Sequence, residues 1–202
     1  MIKVCKYVPH SRKDAYTWGK MWPVQFRPNE LDRIRDKGLS EREMRQMYIG
    51  YQELRKLSTE DSTGQAALIM NPQNGRTIIT SQDASHFLVR KFHQNISSVL
   101  AHPLYTTTMI LLECFSALCR GEFSPPRTDA MPTDPYLCTG LDVYLLHEPD
   151  LMSAMALLHS RVRQVVYLFP DHEEGALGSR EMLHDMKQLN HRFRVFRLKV
   201  GS

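Results

Sequence analysis

Between residues 141 and 169 the chain spells a strand, an apolar helix and a second strand in immediate succession, and that succession leaves few folds open. Leu141 to Leu146 is a short apolar run with strand character, Pro149 to about Ser160 has helical length, and Arg163 to Phe169 is a second strand. Two strands joined through a helix are expected to pair in parallel, because a parallel pair needs a long crossover where an antiparallel pair needs only a tight turn. The expected core is therefore a sheet with helices packed on it, not a bundle or a closed barrel.

The preceding residues extend the same plan. Ser40 reads as an N-cap with Glu43 completing a capping box. From there Met44, Met47, Tyr48, Tyr51 and Leu54 recur at helical spacing and predict a helix from about Glu41 to Lys56. Ala66–Met70 and Thr77–Thr80 flank an Asn-Pro-Gln-Asn-Gly-Arg turn and predict a β-hairpin. Residues 81–100 read as polar and irregular, with helical character around Phe87 to Phe92. Pro103 is expected to open a helix that carries Met109, Ile110, Leu112, Phe115 and Leu118 and stops at Gly121. Residues 122–135 read as loop. Beyond Phe169 the expectation is a glycine-bearing loop, a short helical piece around Arg180–Met186, and a last strand from Phe193 to Val200. A hairpin joined to parallel strands makes the sheet mixed. The expected organisation is an extension over residues 1–39 and an α/β domain over 40–202.

Charge separates those two parts. Residues 1–60 hold 13 Lys and Arg against 8 Asp and Glu, whereas the remaining residues hold 13 against 14. The early segment interleaves Lys3, Lys6, Arg12, Lys13, Lys20 and Arg27 with Tyr7, Tyr16, Trp18, Trp22 and Phe26. Basic and aromatic side chains in that mixture suit a phosphate backbone with unstacked bases, and they equally suit a solvated extension anchored by its aromatics. No stretch reaches the roughly 18 consecutive apolar residues of a membrane-spanning helix, and the first residues lack the apolar core of a secretory signal. The expected location is nucleus and/or cytoplasm.

The chemistry turns on the start of the helix at Pro149. Zinc deaminases open such a helix with Pro-Cys-x-x-Cys, which places two thiolates one turn apart on the metal, and they draw His and a proton-shuttling Glu from the preceding helix start. Here none of Cys5, Cys114, Cys119 and Cys138 has C-x-x-C spacing. Cys114 and Cys119 read as buried small hydrophobes. His172-x-Glu174 spells H-x-E but follows the Pro149 helix and sits in a loop, and His147-Glu148 is too close in sequence for a helical metal pair. His159 and His191 read as structural braces. The chain contains no phosphate-binding glycine loop and no nucleophile elbow.

Three blocks carry a resemblance. They are Pro135-Tyr-Leu-Cys-Thr-Gly-Leu-Asp-Val-Tyr144 with Glu148-Pro149 and Ala154–Arg161; Gly175-Ala-Leu-Gly-Ser-Arg180; and Leu189-Asn-His-Arg-Phe193. Together, and with a fainter match at Trp22-Pro23, they resemble the non-catalytic subunit of the eukaryotic heterodimeric tRNA adenosine deaminase. The resemblance is strong over 135–197, moderate over 40–121 and weak before 40. It implies a cytidine-deaminase-like α/β/α sandwich preceded by a basic arm. It also places Thr106 where the family has its ligand His, Thr108 at the proton-shuttle Glu, and Asp150 and Ser153 at the two Cys. Neutral hydroxyls are poor zinc ligands, so the expectation is no catalysis and no metal in this chain, with zinc held by a catalytic partner that makes inosine at the wobble position of tRNA. Candidate tRNA contacts are Lys3, Lys6, Arg12, Lys13, Lys20 and Arg27 of the arm and Arg192, Arg194, Arg197 and Lys199 near the other end. The alternatives are a stand-alone zinc-free scaffold or RNA-binding module, and a deaminase with an unusual metal site.

Overall fold

In the computed structural model, which describes residues 39–60, 64–93, 102–124, 128–131, 137–186, 188–189 and 191–198, the first helix is nucleated as its capping box requires. Glu43 N–H donates to Ser40 Oγ at 3.3 Å, and Glu43 Oε2 accepts from Ser40 N–H at 3.1 Å. Helix α1 spans Glu41–Glu60. It runs a turn beyond the expected end at Lys56 because Leu57, 8% exposed, adds one more core residue to the stripe of Met47 and Leu54.

The hairpin forms as β1, Ala67–Asn71, and β2, Arg76–Thr80, antiparallel with a register shift between Ile69 and Met70. Residues 81–92, expected to be largely irregular, are instead helix α2, Ser81–Phe92. Its start lies in a second capping box: Thr80 Oγ1 accepts from Asp83 N–H at 3.2 Å and Asp83 Oδ2 accepts from Thr80 N–H at 3.0 Å. Helix α3 spans Thr107–Cys119 and begins four residues after Pro103, with Thr106 as N-cap. Strand β3 is Asp142–His147, helix α4 is Leu151–His159, β4 is Gln164–Phe169 and β5 is Arg194–Arg197. The piece expected around Arg180–Met186 shrinks to one 3₁₀ turn, Leu183–Asp185. A compact unit spans Ser40–Ser202.

The sheet order is β2-β1-β3-β4-β5, with β1 antiparallel to both its neighbours and β3, β4 and β5 parallel. This is the mixed sheet that the hairpin and crossover imply. Alternate side chains feed two layers. Ala67, Ile69, Val143, Leu145, Val165 and Tyr167 join α2, α3 and α4 in one core, and Tyr144 faces α1. The Tyr144 ring lies so close to Gly50 that a Cβ at that position would fall within it, and the Tyr144 hydroxyl donates to Gln46 O at 3.4 Å. The result is an α/β/α sandwich.

Burial departs from the apolar look of the sequence in two helices. Helix α4 is not apolar and buried all round, since Leu151 is 52% and Met152 36% exposed at its first turn. Cys114 is buried, as read, but Cys119 is exposed at the last turn of α3.

A charged cluster ties α1 to the sheet at the start of β3. Asp142 is fully buried and takes two bonds from Arg163, at 2.7 and 2.5 Å, and one from Gln164 at 2.9 Å. Arg194 donates to Gln164 Oε1 at 2.8 Å and to Glu43 Oε1 at 2.6 Å, and Arg163 lies 3.6 Å from the same Glu43 oxygen. Full burial pushes the Asp142 carboxyl up, against the pull of Arg163. Partial burial also pushes Glu43 up, but the bonds from Ser40 and Arg194 outweigh it and hold the carboxyl at about 2. A carboxyl whose folded pKa lies below its unfolded value stabilises the fold above the unfolded value, and the benefit fades as pH falls toward the folded one. Glu43→Gln should therefore cost about 1–2 kcal/mol near neutral pH, and its deficit relative to wild type should shrink between about pH 5 and pH 2. Urea unfolding of both proteins across that range tests this; a pH-independent deficit would contradict it.

A candidate pseudo-active site at the head of two helices

Parallel strands present their carboxyl ends to one edge of a sheet, and helices that follow or pack there aim their N-termini at the same edge. In this chain α3 and α4 both do so, beside the ends of β3 and β4 and the start of β1. A cleft of about 730 Å³ opens between them. The positions singled out from the sequence, Thr106, Thr108, Asp150 and Ser153, all line it. Thr106 and Ser153, 47 positions apart in the chain, are thus neighbours.

Their mutual geometry is that of two helix caps sharing a hydrogen bond. Thr106 Oγ1 accepts from Met109 N–H at 3.3 Å, and Asp150 Oδ1 accepts from Ser153 N–H at 2.6 Å. The Thr106 and Ser153 hydroxyls lie 2.8 Å apart and bond to each other. Thr108 is 5% exposed, and its hydroxyl has no hydrogen-bond partner among the described residues. Asp150 needs no metal to explain it, since an acidic N-cap satisfies an orphan N–H and suits the positive end of the helix dipole.

Those donors do not fit zinc. The metal takes thiolate, imidazole or carboxylate; here two positions are neutral hydroxyls paired with each other, and the lone carboxylate caps a helix. Among the described residues no group of three or more His, Cys, Asp or Glu side chains converges as a metal site. No hydrolytic step through a metal-bound nucleophile can be derived from this arrangement.

The wall of the cleft is built around a residue that pattern reading passed over. Glu148, 4% exposed, accepts from Leu177 N–H and Ser179 N–H at 2.9 Å each, from Asp171 N–H at 3.1 Å, and from the Ser179 hydroxyl. Four donors thus saturate one buried carboxylate and fold the 171–179 connection over the strand ends. The connection comes so close that a Cβ at Gly175 would collide with the Glu148 carboxyl group and Asp171 O, so only glycine fits. His102, His147 and His172, scattered in sequence, also reach the cleft. No local motif announces them, because each is brought there by a different loop.

No protein-family model matches the chain. Curated proteins do. A zebrafish protein named probable inactive tRNA-specific adenosine deaminase-like protein 3 is 29% identical over 98% of this chain and 60% of its own length. The Arabidopsis thaliana tRNA-specific adenosine deaminase TAD3 is 25% identical over 98% of this chain and 70% of its own. The human protein named like the zebrafish one is 54% identical over 63 residues, 31% of this chain and 18% of its own. Over nearly its whole length the chain is thus similar to proteins named tRNA-specific adenosine deaminase-like or TAD3, at 25–29% identity. It spans about 60% of the zebrafish relative's length.

The cleft stands at the edge where α3 and α4 gather their N-termini, with capping residues at the positions discussed. The basic residues fall differently. Lys3, Lys6, Arg12, Lys13, Lys20, Arg27 and Lys199, with Trp22-Pro23, lie outside the described residues. Arg197 is exposed on β5, whereas the Arg194 side chain is 11% exposed and engaged by Glu43 and Gln164. His191 Nε2 lies 3.0 Å from Val162 O and braces the approach to β5, and His159 is exposed at the end of α4.

If Glu148 holds the cleft wall, Glu148→Gln sets an amide donor against N–H groups that need an acceptor. The substitution should cost about 3 kcal/mol and speed hydrogen exchange at the Leu177 and Ser179 amides ahead of the rest of the sheet. Uniform exchange across the unit would assign Glu148 no special part in the wall.

Proposed function

We propose that this chain is the non-catalytic subunit of a heterodimeric tRNA adenosine deaminase, which makes inosine at the wobble position. The observation that carries this reading is the 2.8 Å hydroxyl pair of Thr106 and Ser153 beside the Asp150 cap. The cleft keeps its place at the strand ends, and its helix caps are stable without a metal. Selection that preserves the frame while abandoning the ligands favours shape and partnership over catalysis. Zinc belongs to the catalytic partner, and Thr108 stands where that partner would carry its proton-shuttling Glu. The names borne by the zebrafish and Arabidopsis relatives support the same assignment.

In this reading α3 and α4 supply the partner interface. Met152 is 36% exposed and Leu112 and Met155 are half-buried, leaving apolar surface on the outer side of both helices. Residues 1–39 act as a basic extension, and with Arg192, Arg197 and Lys199 they provide phosphate contacts; Arg194 is held by Glu43. The expected location is nucleus and/or cytoplasm.

Co-expression with the catalytic subunit from the same cell tests the assignment. The two should co-purify, the pair should form inosine in tRNA, and the isolated chain should neither deaminate nor contain stoichiometric zinc by elemental analysis. Failure to co-purify would leave the stand-alone scaffold reading; one zinc per isolated chain would overturn the reading of Thr106, Asp150 and Ser153. For the pair, changing Lys3, Lys6, Arg12, Lys13, Lys20 and Arg27 together to Ala should weaken tRNA binding. It should also flatten the log–log salt dependence by roughly 0.7–0.9 for each phosphate that is no longer neutralised. An unchanged slope removes the extension from the tRNA site.

A further inference from the structure

The cleft has an electrostatic character that a nucleotide site would not have. Glu148, Asp150, Asp171, Glu173 and Glu174 line it, and no Lys or Arg is among its described lining residues. The N–H groups of Glu174 and Glu173 hold the Asp171 carboxyl below the usual carboxylate range. The two helix N-termini carry partial positive charge, on the order of half a unit each, but Thr106 and Asp150 already cap them. His102, His147 and His172 also line the cleft, but carboxylates outnumber them and no Lys or Arg among the described lining residues offsets the balance, so a phosphate entering this space meets net repulsion.

The interior supplies a second, independent feature. Thr108 is more than nine-tenths buried and lines the cleft, and its hydroxyl, which makes no hydrogen bond among the described residues, keeps its remaining access on the cleft. An unmatched polar group in such a position is an open hydrogen-bond site. A hydroxyl can accept from an N–H donor, which fits a cationic nitrogen group entering among carboxylates.

The rim narrows the kind of ligand further. Leu104, 54% exposed, lies between two lining residues in the chain; Leu151, 52% exposed, follows Asp150; Phe169, 49% exposed, precedes Pro170 and packs against His147 with ring centroids 5.5 Å apart. Exposed apolar side chains that adjoin the lining residues of a charged pit in the chain, one of them packed on its His147, match the anatomy of a protein-binding hot spot. A free polyamine would gain little from such a rim, whereas a polypeptide carrying its charge between apolar neighbours would bury it.

We propose that this cleft is a recognition pocket for an arginine or lysine side chain of a protein partner, flanked by apolar residues that cover Leu104, Leu151 and Phe169. The former catalytic position thus takes a basic side chain in place of a nucleotide. This goes beyond the assignment of the chain as a deaminase subunit and holds for the full chain with or without a catalytic partner.

The probe is a fluorescein-labelled peptide with one arginine between two leucines, titrated into the full chain by fluorescence anisotropy. Its counterpart carries citrulline, a neutral shape mimic, and the competitors are spermidine and AMP. The arginine peptide should bind, and citrulline should weaken it about tenfold, as removal of a charge-assisted bond does. The double variant Glu173→Gln/Glu174→Gln alters two loop carboxylates with no core role and should weaken binding about fivefold. Thr108→Val keeps the shape of the core and should also weaken it about fivefold through the missing hydroxyl. AMP should not displace the peptide, and spermidine should do so only weakly. Equal binding of the citrulline peptide, no effect of either variant, or displacement by AMP at lower concentration than by unlabelled arginine peptide would overturn the proposal; so would no binding of the arginine peptide at millimolar protein.

Discussion

A carboxylate removed from water must be matched by donors, and strand β3 is bracketed by two that are. Asp142 at its beginning is fully buried, and Glu148 just past its end is nearly so. The cost of leaving either unmatched is several kcal/mol, so the elements that bring donors to them are held in place together. Asp142 recruits Arg163 and Gln164 from β4 and its approach; Arg194 on β5 bonds Gln164 and meets Glu43 at the head of α1. Glu148 recruits the backbone of the connection between β4 and β5. The first cluster positions α1 and the far strand. The second shapes the cleft.

That division separates the frame of the fold from the residues at its cleft. Thr106, Asp150 and Ser153 contribute little to the sheet, whose order rests on the two carboxylates and on the apolar layers fed by β1, β3 and β4. The hydroxyls and the capping Asp at the helix heads suit the frame, because helix starts favour such residues. The same residues, with the acidic loop at 171–174, leave a pocket whose sign is negative.

Much of this architecture is legible in local chemistry. The capping box at Ser40–Glu43, the Asn-Gly turn and the strand–helix–strand run after residue 141 each predict an element that is present. Helix α2 was legible too, in the Thr80–Asp83 box, but the polar look of residues 81–100 masked it. Pro103 misled because proline suits a helix start in general, while Thr106 is the better cap here; its side chain can accept from Met109 N–H and proline's cannot. Cys119 reads as core from its apolar neighbours, yet it falls at the exposed end of α3.

What the sequence by itself determined is what depends on neighbours a few residues apart: helix caps, turns, strand alternation, the mixed α/β class, and the absence of any C-x-x-C pair. Only the tertiary structure decided which distant groups meet. It placed Thr106 beside Ser153, tied Arg194 to Glu43, folded Asp171, Leu177 and Ser179 around Glu148, and gathered His102, His147 and His172 at one cleft. The physical reason is range. Caps and turns are settled by bonds within about one helical turn, whereas the saturation of a buried carboxylate draws on whatever donors the packed chain delivers, and no local pattern records which those are.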